Sequence, residues 1–376
     1  MKLLQLAFLI GLALCGRDDA LAVVNAKNAN YAAAWLDLNT PKGLRIVERA
    51  YNSRTLFNGI FGFGWSSDLE DTLTSPSANE VLFTMAGNGS ELSFARAGVD
   101  LFVSPKYGSV RLVGGRLVLS LTPQAALDIV GAGCDECRQY QFEKQTMIFD
   151  SRGRVLEKLY PGGGRLTFEY GADLLRSISD GDGHRFTLEY YSNGHVKKVF
   201  SSDGLEARYS YDPEGNLISA LNVLHNKYSY SYDALHNLVR EDFPDQTANV
   251  LTYDLDSDFV TSFRGRDSTL VNYSYFLHSR DHYWSDVVRT RGSRVERERS
   301  EFLYRDHRLR RSVEIYGENL SDIVWNGNGY PESVTLNGIK RSYKFDVRGQ
   351  VIEKATRLEN LQIPGLRVQE AKPSAQ

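Results

Sequence analysis

Polar and apolar positions alternate along much of this chain. "RYSYD" places Tyr209 and Tyr211 on one side and Arg208 and Ser210 on the other. "KYSYSYD" (Lys227–Asp233) and "RSYKFD" (Arg341–Asp346) keep the same period of two. That period belongs to strands half buried on one face. Turn clusters fall between the alternating runs: "PGGG" at 161–164, "DGDG" at 180–183, "SSDG" at 201–204 and "LNG" at 336–338. Asp-Gly and Asn-Gly supply the positive φ that tight hairpin turns need.

The alternation is itself periodic. Aromatic residues that close a run stand at Phe149, Tyr170, Tyr190, Tyr211, Tyr232, Tyr253, a blurred position near Tyr275, then Tyr304, Trp325 and Phe345. The intervals are 21, 20, 21, 21, 21, 22, 29, 21 and 20. A glycine often follows four positions later (Gly153, Gly194, Gly215, Gly329, Gly349), and an aliphatic two beyond it (Val155, Val196, Leu217, Leu238, Val351). Two turns per period make one hairpin per repeat. A lone hairpin is marginal in water, so the units are expected to stack edge to edge, each held by its neighbours. The predicted fold is all-β: a curved strip of stacked antiparallel hairpins.

An aromatic-Asp pair, then Gly, then an aliphatic, recurring in register over about Phe149–Lys354, resembles the Rhs/YD-repeat family. Upstream, "RAYNSRTLFNGIFGFGWSSDLE" (Arg49–Glu70) is similar to the module that opens the repeats in Rhs proteins, and "NGSELSF" at 88–94 fits its strand-rich continuation. The resemblance, shared with Tc-toxin C subunits and teneurins, implies a long β-strip that closes into a hollow shell in the largest members. Bacterial versions enclose a C-terminal toxin, and teneurins use the shell in adhesion. About ten units are too few for such a shell. Neither the autoprotease segment nor room for a toxin is visible after Thr356. A partial shell is therefore the expectation.

Composition narrows the function classes. The 376 residues carry a net charge of -3, which gives no global case for nucleic acid or an anionic membrane. "LLQLAFLIGLALCG" after Lys2 is too short to span a bilayer comfortably. With "ALA" at Ala20–Ala22 it reads as a signal peptide cut after Ala22. The alternative is a lipoprotein anchored at Cys15. Export makes a Cys134–Cys137 disulfide one reading of "GCDECRQ"; inert thiols, a redox pair and a metal site are the others.

Catalytic constellations are weak. His278, Asp281, His282 and Tyr283 in "HSRDHYW" fall in the irregular 29-residue interval, which favours a polar loop or distorted hairpin over a metal or hydrolase site. Asp150, Asp212, Asp233, Asp254 and Asp346 each follow an anchor, where a carboxylate caps a turn. There is no G-x-S-x-G, H-E-x-x-H or P-loop motif. From Arg289 to Ser312 nine arginines meet four acids, and alternation sets Arg297 and Arg299 against Glu296 and Glu298, so one surface of this hairpin should be basic. The ladder Tyr209, Tyr211, Tyr228, Tyr230 and Tyr232 either packs against neighbouring repeats or offers rings to a sugar or peptide.

The expected organisation is a signal peptide (1–22), a strand-rich module (23–148), the hairpin strip (149–355) and a flexible tail (356–376). The expected role is non-enzymatic and cofactor-free. It is an exported scaffold or binding protein, secreted, periplasmic or at the cell surface, with no membrane span once the signal is cut. Its partner would be a protein or glycan, including a toxin or a second repeat chain joined at a sheet edge. The competing role is a partial shell or remnant of an Rhs-type system acting with a separately encoded toxin.

Overall fold

The computed structural model describes residues 21–86, 89–104, 107–121, 145–306, 308–346 and 351–358. Cys15, Cys134 and Cys137, the segment before Leu21 and the tail after Leu358 lie outside the described residues. Two sheets carry almost everything. A four-stranded antiparallel sheet is ordered Leu21–Asn25, Asn30–Asn39, Arg45–Asn52, Trp65–Ser67. Twenty-six antiparallel strands then form one continuous curved strip from Thr72–Ser77 to Val351–Leu358, each paired with the next in sequence. Strip strands thus precede the first repeat anchor. No pairing joins Val351–Leu358 to Thr72–Ser77 among the described residues, so the sheet is a strip rather than a barrel. The first strand is tied back instead at Thr72, which bridges Arg154, and by the Leu73 amide donating to the Gly153 carbonyl at 3.0 Å.

The repeat anchors have a geometric meaning. Register shifts occur at Phe149, Tyr170, Tyr190, Tyr211, Tyr232, Tyr253, Tyr304, Trp325 and Phe345. Each is a bulge, where one extra residue bends the strand and raises its twist. Repeated every 20 or 21 residues, the bend curves the strip. At Tyr275 there is none, because Tyr275 stands directly opposite Ser285. The long interval around it is not a loop but a hairpin distorted at its tip, where the register shifts between Leu277 and Ser279. It is absorbed as strand length, in Leu270–Ser279, His282–Arg291 and Arg294–Arg305.

Across the bulge each anchor faces its aliphatic: Tyr190 opposite Val196, Tyr211 opposite Leu217, Tyr232 opposite Leu238. The aliphatics are fully buried. The anchor hydroxyls reach back one repeat and donate to main-chain carbonyls: Tyr190 to Leu175 at 2.6 Å, Tyr211 to Val196 at 3.0 Å, Tyr232 to Leu217 at 2.8 Å and Tyr253 to Leu238 at 3.0 Å. This accounts for tyrosine rather than phenylalanine at these positions. The following aspartates cap the turns. Asp150 Oδ1 accepts from the amides of Arg152 and Arg154, and Asp233 Oδ1 from those of Leu235 and Asn237. The turn glycines do adopt positive φ, as at Gly183 (95°) and Gly204 (94°). Where a repeat lacks the glycine, a side-chain residue takes that conformation, as at His236 (65°) and Gln246 (67°).

The four-stranded sheet lies against one face of the strip, and a single large core fills the join. Over the repeats that share this core, as far as about Val260, the strip therefore does not present an uncovered face. Its own first fifty described residues occupy that face. A second, smaller core of Ile323, Val334 and Tyr343 supports the last hairpins. The strand Leu21–Asn25 pairs Leu21 with Ala34 and Ala22 with Ala33, so cleavage after Ala22 would leave Val23–Asn25 of it.

Candidate functional site

The densest polar chemistry is sealed in the join between the two sheets. Arg49, on the third strand of the small sheet, is completely buried. Its Nε donates to Asp37 Oδ2, and its Nη2 to Asp37 Oδ1 at 3.1 Å and to Tyr230 Oη at 3.4 Å. Tyr209 Oη donates to Asp37 Oδ2 at 2.9 Å. Four rings surround the guanidinium, with centroids at 4.8 Å (Trp65), 5.4 Å (Tyr209), 5.7 Å (Trp35) and 5.8 Å (Tyr230). Aromatic faces stabilise a desolvated cation, and the carboxylate supplies the countercharge. Burial opposes the charge on Arg49, but Asp37 outweighs it and the proton is held more tightly than usual. Burial and the Asp37 charge together push the Tyr209 phenol well up.

Beside this cage lies Glu241, also fully buried. Its Oε2 accepts from Tyr31 Oη at 2.9 Å and Asn249 Nδ2 at 3.0 Å. Burial pushes its carboxyl up to about 7 despite those two bonds. Arg49 Nη1, Glu241 Oε1 and Trp35 Nε1 are buried and have no hydrogen-bond partner. A third polar anchor sits nearer the start of the strip. Lys158 Nζ donates to Asp68 Oδ2 at 2.8 Å and Asp71 Oδ2 at 3.2 Å. Burial raises the Asp71 carboxyl to about 6 against the pull of Lys158. The chain delivers Asp68 there through a single helical turn, Asp68–Glu70, whose start is closed by reciprocal bonds between Ser67 and Glu70. All three clusters join residues of the small sheet or its exit turn to strip residues far along the chain.

The sequence-derived candidates are distributed as follows. Tyr209 and Tyr230 are buried in the Arg49 cage. Tyr228 is buried against Phe243, ring centroids 5.9 Å apart. Tyr211 and Tyr232 spend their hydroxyls on the carbonyls described above, and Tyr232 Oη also accepts from Trp65 Nε1 at 2.7 Å. The ladder is packing, not an open ring surface. Arg299 is bidentate to Asp286, at 2.5 and 2.6 Å. Arg297 is exposed opposite Val288. The basic surface expected on this hairpin is offset by nearby acids: Arg291 meets Asp267 in an adjacent turn at 3.5 Å, Arg289 meets Glu296 on the facing strand at 3.6 Å, and Arg294 meets Glu296 on its own strand at 2.6 Å. Ser279 and His282 flank the two-residue turn, the His278 ring lies 5.2 Å from that of His282, and His282 Nε2 lies 2.5 Å from Glu301 Oε1. Among the described residues no three His, Cys, Asp or Glu side chains converge as metal ligands.

Sequence reasoning missed Asp37, Arg49 and Glu241. A signal was available for each. Asp37 and Arg49 interrupt apolar runs, in "AAAWLDLN" and "RIVERAYN". Glu241 occupies the inward position that Val199 and Ala220 fill in the two preceding repeats.

One groove opens at the edge of the join, between the first strand of the small sheet and the strip. It holds about 420 Å³, with Val24, Phe263 and Tyr273 lining it and Arg289, Arg291 and Glu296 around it.

Residues 24–94 match the model of a domain of unknown function, DUF6531. That stretch covers the small sheet and the first strands of the strip. No curated protein matches the chain. Among solved structures, the chain is similar to TcdB2-TccC3-Cdc42 (11% identity, TM-score 0.35) and TcdB2-TccC3 (12%, 0.35), in each case over 88% of this chain and 20% of that one. TcdB2-TccC3 without its hypervariable C-terminal region matches at 11% identity and TM-score 0.31, over 92% and 19%. The chain spans about a fifth of the length of these structures. No helix among the described residues is long and apolar enough to cross a membrane.

Proposed function

We propose that the chain is a non-enzymatic scaffold of the Rhs/YD-repeat type, exported to the cell envelope or beyond, where it engages a protein or glycan partner. The observation that carries this reading is the use made of the polar and aromatic groups. The buried carboxylates, cation and phenols hold one sheet against another inside a water-excluded join. A substrate would have to separate the sheets to reach them. What remains at the surface is suited to contact: the groove beside Phe263 and Tyr273 with its arginine rim, and the outer edge of the last strand. Ring faces within a rim where Arg289, Arg291 and Arg294 stand among Asp267 and Glu296 suit a sugar or a peptide of mixed charge.

The competing role, a partial shell for a separately encoded toxin, asks for an empty inner face. Here the small sheet fills that face over the repeats that share its core, which favours the scaffold reading. The deciding experiment is affinity capture with the immobilised full chain from an envelope extract, run beside a glycan panel. Retention of an envelope protein or glycan, weakened by Arg289→Ala with Arg291→Ala, supports the proposal. Capture of a toxin from the same locus would replace it with the shell reading. Hydrolytic turnover abolished by His282→Ala would overturn the non-enzymatic assignment.

A further inference from the structure

The strip ends in an edge that is complementary to itself. Strand Val351–Leu358 pairs on one side with Ile339–Phe345. No strand register pairs its other side among the described residues, and Thr72–Ser77 pairs with Glu80–Met85 instead. Seven of its eight residues are exposed, including Ile352 (66%) and Leu358 (87%). An exposed edge of this length is a template for another strand. Lys354, Thr356 and Leu358 stand opposite Tyr343, Arg341 and Ile339, so they share the face on which Tyr343 enters the small core. Alternation places Ile352 on that face as well, and Glu353 and Arg357 on the other.

We propose that this edge pairs with the same edge of a second copy, antiparallel, about a two-fold axis through Ala355. A two-fold perpendicular to the sheet keeps each face continuous, so only residues of equal parity can oppose each other. With Ala355 on the axis, Ile352 falls opposite Leu358, Lys354 opposite Thr356, and Glu353 opposite Arg357, each twice. The apolar pair extends the face already carrying the small core. The two Glu353–Arg357 pairs lie together on the outer face. Arg357 stands opposite Lys340 within its own sheet, a like-charge pairing that a carboxylate from the second copy would relieve. Glu353 carries Lys344 on its inner side at 2.7 Å and is still more than half exposed, leaving its outer side open to Arg357. The contact is isologous and closes at two copies, so it caps the edge without building a fibre. It requires neither export nor the groove, and it stands or falls apart from the envelope partner.

The test is sedimentation velocity and light scattering on the full chain across a concentration series. A dimer is expected. Glu353→Arg and Arg357→Glu should each weaken it by at least about tenfold, because each reversal acts on both symmetry-related pairs. The double variant carrying both changes should restore it, since the reversed charges again oppose each other. Both residues are exposed, and far-UV circular dichroism with thermal melting confirms that each variant is folded. A chain monomeric at every concentration, or a dimer indifferent to both single reversals, would overturn the proposal. So would a monomer that dimerises only when residues 359–376 are deleted, which would assign the edge to the chain's own C-terminal segment.

Discussion

The hydroxyl of Tyr232 donates to the carbonyl of Leu217 at 2.8 Å, binding the end of one repeat to the beginning of the one before. The same reach of fifteen residues recurs at Tyr190, Tyr211 and Tyr253. Each Tyr→Phe change leaves a partly buried carbonyl short of one donor at unchanged ring volume. We expect losses of about 1 kcal/mol per site in urea unfolding. Tyr232→Phe should cost the most, because Trp65 Nε1 loses its acceptor at the same time. Equal losses at all four positions would contradict this ranking.

Arg49 and Asp37 form a buried pair, and breaking it should be severe. Arg49→Met leaves the Asp37 carboxylate without its countercharge inside the join, a situation that costs about 3–5 kcal/mol. Adding Asp37→Leu should recover a substantial part of that loss, since an apolar pair carries no desolvation penalty. Chemical denaturation of the two single variants and the double variant gives the coupling directly. The fluorescence of Trp35 and Trp65, whose rings lie 5.7 and 4.8 Å from the guanidinium, should change in the Arg49 variant before unfolding begins.

Stability should fall as pH rises from about 5 to 8. Burial raises the Glu241 carboxyl from its ordinary 4.5 to about 7, so over that window the folded state holds a proton that the unfolded chain has released. The favourable contribution is complete below the ordinary value and is lost as pH passes the folded one. The loss from this group is on the order of 3 kcal/mol at most. Asp71, raised by burial to about 6, acts in the same direction. Glu241→Gln keeps an acceptor for Tyr31 and Asn249 without the titration. Melting temperatures across that range should decline less steeply for this variant than for the parent. Parallel declines would exclude Glu241 as a source.

Glycines with the same backbone conformation should differ in tolerance. Gly153 (φ +80°) passes so close to the strip's first strand that a β-carbon there would lie 2.2 Å from the Leu73 carbonyl oxygen. At Gly194 (φ +89°) no atom lies within 4 Å of that position. Gly194→Ala should cost only the left-handed strain, about 1–2 kcal/mol. Gly153→Ala adds a steric conflict with main chain that cannot rotate away, and should release the tie between Thr72 and Arg154. Proteolysis near residue 72 should accelerate in the second variant and not in the first.

Strands and turns of the repeat were readable because they rest on local rules: alternation, positive-φ glycines and capping aspartates. Even so, the bulge at each anchor has no local signature beyond the spacing itself. Tyr275, which lacks one, stood out in sequence only as the blurred position before the 29-residue interval. The covering of the strip by the small sheet was not readable, because it depends on pairings such as Trp65 with Tyr232 that lie 167 residues apart. The same gap explains the tyrosine ladder. Period two places Tyr209 and Tyr230 correctly on one face, but says nothing about what lies against that face. Glu241 was hidden by its company of acids in "REDFPD", where it passes for a solvated charge.

The small sheet precedes the strip along the chain, and its contacts reach far into it. Lys27 must wait for Tyr283, whose hydroxyl reaches its carbonyl across 256 residues. Until that length has emerged, the nascent sheet holds the charge of Arg49 and the indoles of Trp35 and Trp65 without the strip residues that enclose them. Closing such distant contacts is slow, and half-made species of this kind aggregate. On a chain made in order, the groups of the small sheet therefore stay uncovered until the strip strands as far as Tyr283 have been added.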